Sequence, residues 1–438
     1  MKQMSLVVGI GMLAFGLFSG TIRAQTVVGD WQGNLPNWKS RCVVKISKAD
    51  DGKLNANVYL IDQSPEPHPA DSVTFDGITF KMGFEAYHGG YTGKLSADGL
   101  SMNGQLVVGD TQELDLKRVT QETEWPLDPT PHKAQFVTVE PGVKLEVLDW
   151  GGTGRPLVLL TGLGDTAHVF DKLALKLTGN YHVYGITRRG YGASDTPPVV
   201  GDNYKADRLG DDVIAVLDQL KLEHPVLAGH SIAGEELSSI GSRHPERVAG
   251  LVYLDAAQWF ALYPGVPHGF EVDTNELRRK LQAIGYVQTP QEGRALMTEV
   301  LNIELPRYQQ ELAAKLEEIK DVPDTPPPSE AVTRSREYIY GHAIQAGEQR
   351  YTQIKCPALA IYAEPKLSPP EPDADAKVKA KAAYDAEVRR EIESMADAFQ
   401  ALGPKMRVVR LVGAQHYVFR SNEADVLREV NAFIAALP

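Results

Sequence analysis

Pro225-Val-Leu-Ala-Gly229-His230-Ser231-Ile232-Ala233-Gly234-Glu-Glu-Leu-Ser-Ser-Ile240 joins a short apolar run to a helical pattern carried by Leu237 and Ile240. The change of period at Gly229 predicts a buried strand, a sharp turn at Ser231 and a helix starting directly after it. A turn this tight strains the serine backbone, so its neighbours two before and two after must be small. Gly229 and Ala233 meet that need. Ser231 is therefore lifted clear of a sheet edge and is the candidate nucleophile.

The chain has 438 residues, more than one ordinary domain, and 43% apolar residues, enough for a full core. A formal charge of −12 argues against nucleic acid or an anionic membrane as partner. Cys42 and Cys356 are the only cysteines, so neither a disulfide framework nor a zinc spacing follows. Residues 1–24 combine a basic start at Lys2, an apolar run from Leu6 to Phe18 and a small residue at Ala24. That is the pattern of a secretory signal, and the run is too short to span a bilayer comfortably. Export to the periplasm or medium, cleavage near Ala24 and no remaining membrane span are the expectations.

Residues 26–120 carry short β-rich runs, Cys42 to Ile46, Ala56 to Ile61, Val73 to Phe75 and Leu114 to Val119. Asp51-Gly52, Asp76-Gly77 and Asp98-Gly99 separate such runs as turn signals. An antiparallel barrel or sandwich is expected there. Trp31, Trp38, Tyr87 and Tyr91 are either its core aromatics or a carbohydrate- or lipid-binding face. Residues 121–133, with Pro126, Pro129 and Pro131, read as a stiff linker.

From residue 134 to the end, strands alternate with helices, which predicts a mainly parallel sheet with crossover helices. An opening hairpin around Pro141-Gly142 precedes strands ending at Thr161, Ile186, Gly229, Leu254 and Ala363. In this order the chain shows Thr161-Gly-Leu-Gly164, Arg188-Arg-Gly-Tyr-Gly-Ala-Ser-Asp195, Gly229-His-Ser-Ile-Ala-Gly234, Leu251-Val-Tyr-Leu-Asp255 and Gly413-Ala-Gln-His416. These ordered features resemble the α/β-hydrolase superfamily. The β-rich segment ahead of them loosely resembles the lipocalin-like domains of some secreted bacterial hydrolases. Thr187 departs from the acid that many members carry before the arginine turn.

The resemblance implies an α/β fold: a hydrolase sheet with a helical lid at about residues 256–352, behind a small all-β domain. It implies His416, on the loop after the last strand, as the base for Ser231. The oxyanion hole is expected from the backbone N–H groups of Ile232 and Leu163. Asp255, at the end of the strand before the lid, is the expected third member, with Glu364 as the alternative acid. His230 is expected to pack, and His168 to lie near the pocket or on a helix surface. Trp259, Phe260, Tyr263 and Phe270 either line an apolar pocket or pack within the lid.

No cofactor is implied, and no metal-ligand spacing is visible, so hydrolysis is expected to survive chelation. A serine at position 231 argues against dehalogenase and epoxide hydrolase relatives, which use an aspartate there. The expected activity is hydrolysis of small or medium, partly apolar carboxylic esters. Amidase, lactonase or perhydrolase chemistry uses the same triad, and a non-catalytic scaffold that binds a partner is the reading from another class.

Overall fold

The computed structural model describes residues 26–438 except 37–39, 64, 109, 263–274, 321–332, 334, 350 and 368–375. The signal-like stretch, Trp38, Tyr263 and Phe270 lie outside the described residues. No helix among the described residues is long and apolar enough to cross a membrane.

The N-terminal part of the described chain forms nine antiparallel strands: β1 Gly29–Leu35, β2 Ser40–Lys48, β3 Leu54–Tyr59, β4 Pro67–Pro69, β5 Ser72–Phe75, β6 Thr79–Phe84, β7 Gly89–Leu95, β8 Ser101–Val108 and β9 Asp110–Arg118. They make one sheet in the order β4-β3-β2-β1-β9-β8-β7-β6-β5. The sheet curls on itself, so β3 also packs against β5. Gly52, Gly77 and Gly99 have φ of 86°, 98° and 73°, the left-handed backbone that the Asp-Gly turns call for. Alternate residues face inward and build one core around Trp31, Phe80, Tyr91, Met102 and Leu116. Trp31 and Tyr91 are thus core aromatics, whereas Tyr87 is 41% exposed.

The rest of the described chain adds β10 Lys133–Glu140, β11 Val143–Gly151, β12 Pro156–Leu160, β13 His182–Ile186, β14 Val226–His230, β15 Gly250–Leu254, β16 Ala358–Glu364 and β17 Met406–Val412. Their order is β10-β11-β13-β12-β14-β15-β16-β17. The β10–β11 hairpin pairs antiparallel with β13, and β13 through β17 run parallel.

Side-chain alternation explains the two cores. Val158 and Leu160 point to the face covered by helices Ala206–Gln219, Gly234–Arg243 and Ala376–Ala401. Leu157 and Leu159 point to the face covered by Asp171–Leu177 and Glu423–Ala435. Between β15 and β16 stands a helical insertion with helices Asn275–Ile284, Pro290–Glu299, Leu305–Ile319 and Arg336–Ala346.

The curled sheet is tied to the α/β part of the chain through the stretch after β3. The Asp62 carboxylate accepts from Arg41 of β2 at 2.7 Å and from Lys172 at 2.9 Å. Its carbonyl accepts from Arg420 at 2.6 Å, and the Gln63 carbonyl accepts from Thr166 at 2.8 Å.

Candidate active site

Ser231 sits between β14 and its helix with φ of 53°, the left-handed conformation demanded by the turn. No Cβ fits at Gly229, where it would meet Ala233 Cβ at 2.9 Å and Leu237 Cδ1 at 3.0 Å. Gly234 is tighter still, because a Cβ there would lie 1.9 Å from the Ala256 carbonyl oxygen. That requirement was not read from the sequence, because Ala256 is distant along the chain.

His416 Nε2 lies 2.9 Å from Ser231 Oγ, and His416 Nδ1 lies 2.7 Å from Asp255 Oδ2. The imidazole is about half exposed, so solvent and substrate can reach it, while Asp255 is buried behind it. Asp255 also adopts a left-handed backbone, with φ of 49°, at the end of β15. Its other oxygen accepts from the Ala363 amide at 2.9 Å, which fixes the carboxylate against β16. Glu364 goes elsewhere. Its buried carboxylate pairs with Arg389 at 2.6 Å and Arg410 at 3.7 Å.

Leu163 stands in the turn after β12, and Ile232 follows Ser231 in the short turn Ser231–Ala233. Their side chains meet in one apolar cluster with Tyr191 and Phe260. Arg188, buried after β13, donates to the carbonyls of Thr161 at 2.8 Å and Gly162 at 3.2 Å. It also binds Glu236 at 2.5 Å in the first turn of the helix after Ser231. One guanidinium thereby ties the turn carrying Leu163 to the helix carrying Ile232. Nothing in the sequence around Arg188 reveals this link, because Thr161 and Glu236 lie far from it along the chain.

His230 is fully buried, with its ring tilted against His416 and Tyr417 and edge-on to Phe419, and its Nε2 lies 3.1 Å from the His416 carbonyl oxygen. Burial lowers its pKa below the ordinary histidine value, so the neutral ring packs and steadies the His416 loop. Trp259 and Phe260 are half-buried, meet each other edge to face and pack against the core. Both cysteines are buried and free.

His168 lies neither at the pocket nor on a surface. It is buried in a group with Asp128, His132 and Asp171, whose donor atoms fall within 4.8 Å of one another. The sequence did not reveal this set, because two short segments each supply half of it.

Comparison with known proteins agrees with the topology. Residues 155–338 match the family described as alpha/beta hydrolase fold. Bifunctional epoxide hydrolase 2 of Rattus norvegicus is 28% identical over 191 residues, 41% of this chain and 33% of that protein. The AB hydrolase superfamily protein YisY of Bacillus subtilis is 35% identical over 137 residues, 31% of this chain and 50% of that protein. Fluoroacetate dehalogenase of a Burkholderia species is 30% identical over 118 residues, 26% of this chain and 39% of that protein. The chain thus spans between a third and a half of the length of these relatives. By the order of its strands and by these matches, the chain carries an alpha/beta hydrolase fold, preceded by a curled antiparallel β domain.

Proposed function

We propose that the protein is a serine hydrolase acting on carboxylic esters. The observation that carries this reading is the unbroken relay from Asp255 through His416 to Ser231, with contacts of 2.7 and 2.9 Å. An unassisted serine hydroxyl is a poor nucleophile, and a histidine within hydrogen-bond reach supplies the missing base.

In the first step Ser231 Oγ attacks the ester carbonyl while His416 Nε2 takes its proton. The imidazolium is stabilised by Asp255, which holds the tautomer and does not itself become protonated. The backbone N–H groups of Ile232 and Leu163 receive the developing oxyanion. His416 returns the proton to the leaving alcohol, and an acyl enzyme remains on Ser231. Water, deprotonated by the same histidine, then releases the acid. The relatives' names span epoxide and carbon–halogen chemistry; the serine at position 231 favours acyl transfer for this chain. Export rests on the signal-like stretch of residues 1–24.

A fluorophosphonate probe should label the wild-type protein at Ser231, and Ser231→Ala should abolish labelling. The same change should lower kcat on p-nitrophenyl acetate by about a millionfold. Undiminished labelling in the alanine variant would overturn the reading.

A further inference from the structure

The concave side of the curled β sheet is not filled by its own side chains. A cavity of about 460 Å³ remains there, lined on the sheet side by apolar groups such as Leu35, Val58, Leu60, Met82, Phe84 and Leu106. Its other wall belongs to the hydrolase half. That wall contains Leu163 and Gly164 of the turn expected to bind the oxyanion, and Gln415 and Tyr417 on either side of His416 in sequence. The volume falls in the range of about 300–1,000 Å³ that holds small-molecule ligands. The docking contacts of Asp62 and Gln63 hold the curled sheet against the segments that carry Thr166, Lys172 and Arg420.

We infer that this cavity is the binding compartment for the long apolar arm of the ester substrate. The inference rests on the serine hydrolase reading and extends it to a substrate class. With the carbonyl at Ser231, an unbranched hydrocarbon arm passes the Leu163 turn and enters the curled sheet. The largely apolar lining rewards hydrocarbon burial, while Gln63, His68, Asp165 and Arg420 supply the few polar groups on its wall. The β domain is then part of the active site and not a spacer.

The test is a chain-length series in two arms, p-nitrophenyl esters of growing acyl length and alkyl acetates of growing alcohol length. In one arm, kcat/KM should rise about fourfold per methylene until the cavity is full. The arm that rises identifies which side of the ester enters. Val58→Phe with Leu60→Phe, which fill the cavity, should cut the octyl-to-acetyl ratio at least tenfold.

Direct binding covers the case of a misfolded variant. Ser231→Ala protein should take up N-phenyl-1-naphthylamine with a rise in fluorescence, and decanoate should displace it. A flat profile in both arms, or no uptake of the probe, sinks the inference even if fluorophosphonate still labels Ser231. Loss of that labelling instead sinks the serine reading.

A different observation carries a second inference. In the group that holds His168, His132 Nε2 stands 3.3 Å from Asp128, and His132 Nδ1 stands 3.5 Å from Asp171. His168 Nδ1 stands 3.5 Å from Asp171 and 3.7 Å from Asp128. Most of these separations are too long for good hydrogen bonds. One donor atom from each of the four residues lies within 4.8 Å of the other three, so a single ion can engage all four after modest side-chain movement.

His132 Nδ1 and Asp171 Oδ2 have no hydrogen-bond partner, although both side chains are only 5% exposed. Asp171 Oδ1 accepts from Trp150 Nε1 at 2.8 Å, the kind of outer contact that orients a metal-binding carboxylate. The geometry points to a divalent-cation site of zinc type, with two histidines and two aspartates fastening the linker to the hydrolase half. Chelator-treated protein titrated with zinc sulfate in a calorimeter should bind one ion per chain and show a higher Tm. His132→Gln with His168→Gln should abolish both effects. Absence of zinc binding, or binding retained in the double variant, overturns the site and leaves a plain histidine–aspartate ion-pair network.

Discussion

At the scale of single residues, the candidate site separates two carboxylates that look interchangeable on paper. Asp255 touches His416, whereas Glu364 is occupied by Arg389 and Arg410. Asp255→Asn should therefore lower kcat by up to about ten-thousandfold with the fold retained, and Glu364→Gln should leave kcat close to wild type. Steady-state kinetics together with near-UV circular dichroism check this, and the reverse ranking in folded proteins would refute the assignment. Arg188 acts through others. It holds the Thr161 and Gly162 carbonyls and so sets where the Leu163 N–H points. Arg188→Lys keeps the charge and loses the planar fork. Because a displacement of about 1 Å can cost ~100-fold, kcat should fall on that order with a smaller change in KM.

Among the elements, the strand–turn–helix around Ser231 is the least tolerant of added volume. At Gly229 the obstruction is Ala233 Cβ at 2.9 Å together with the movable Leu237 side chain, whereas at Gly234 it is the Ala256 carbonyl oxygen at 1.9 Å. Overpacking of an adaptable site costs about 1–3 kcal/mol. Gly229→Ala should fall in that range, and Gly234→Ala should lower Tm further because the chain after β15 must move. Differential scanning calorimetry of the two variants ranks them. Most elements here were legible from period alone. The helices Ala206–Gln219 and Glu423–Ala435 each carry their buried apolar residues at helical spacing, Leu209, Val213 and Val216 in the first and Val426, Val430 and Phe433 in the second. The curl of the β domain was not legible, because a period of two predicts paired strands equally well in a sandwich, a closed barrel or one rolled sheet.

For the whole molecule, the joint between the halves centres on Asp62. Burial alone would raise the pKa of its carboxyl, but hydrogen bonds from Arg41 and Lys172 outweigh burial and hold it below the ordinary aspartate value. A folded-state pKa below the unfolded one means that this stabilisation is present above about pH 4 and is lost as pH falls through the lower folded value. Asp62→Asn should therefore lower Tm at pH 7 and narrow its gap to wild type as the pH is taken below 4. A gap independent of pH in thermal melts would argue against this role.

The sequence by itself determined what depends on neighbours along the chain: the period of each element, the Asp-Gly turns, the small residues around Ser231 and the loop that carries His416. Those features are local, so a few residues of context specify them. The tertiary structure decided what depends on register between distant segments. Leu254 pairs with Ile361 across β15 and β16, so Asp255 leaves the sheet beside His416 while Glu364 runs on to face β17. Likewise, only rolling nine strands against the turn after β12 leaves a cavity beside Leu163, and only docking the segment before β10 brings Asp128 and His132 to His168 and Asp171. Each arises from contacts between segments far apart in sequence, and no local pattern encodes the distance between them.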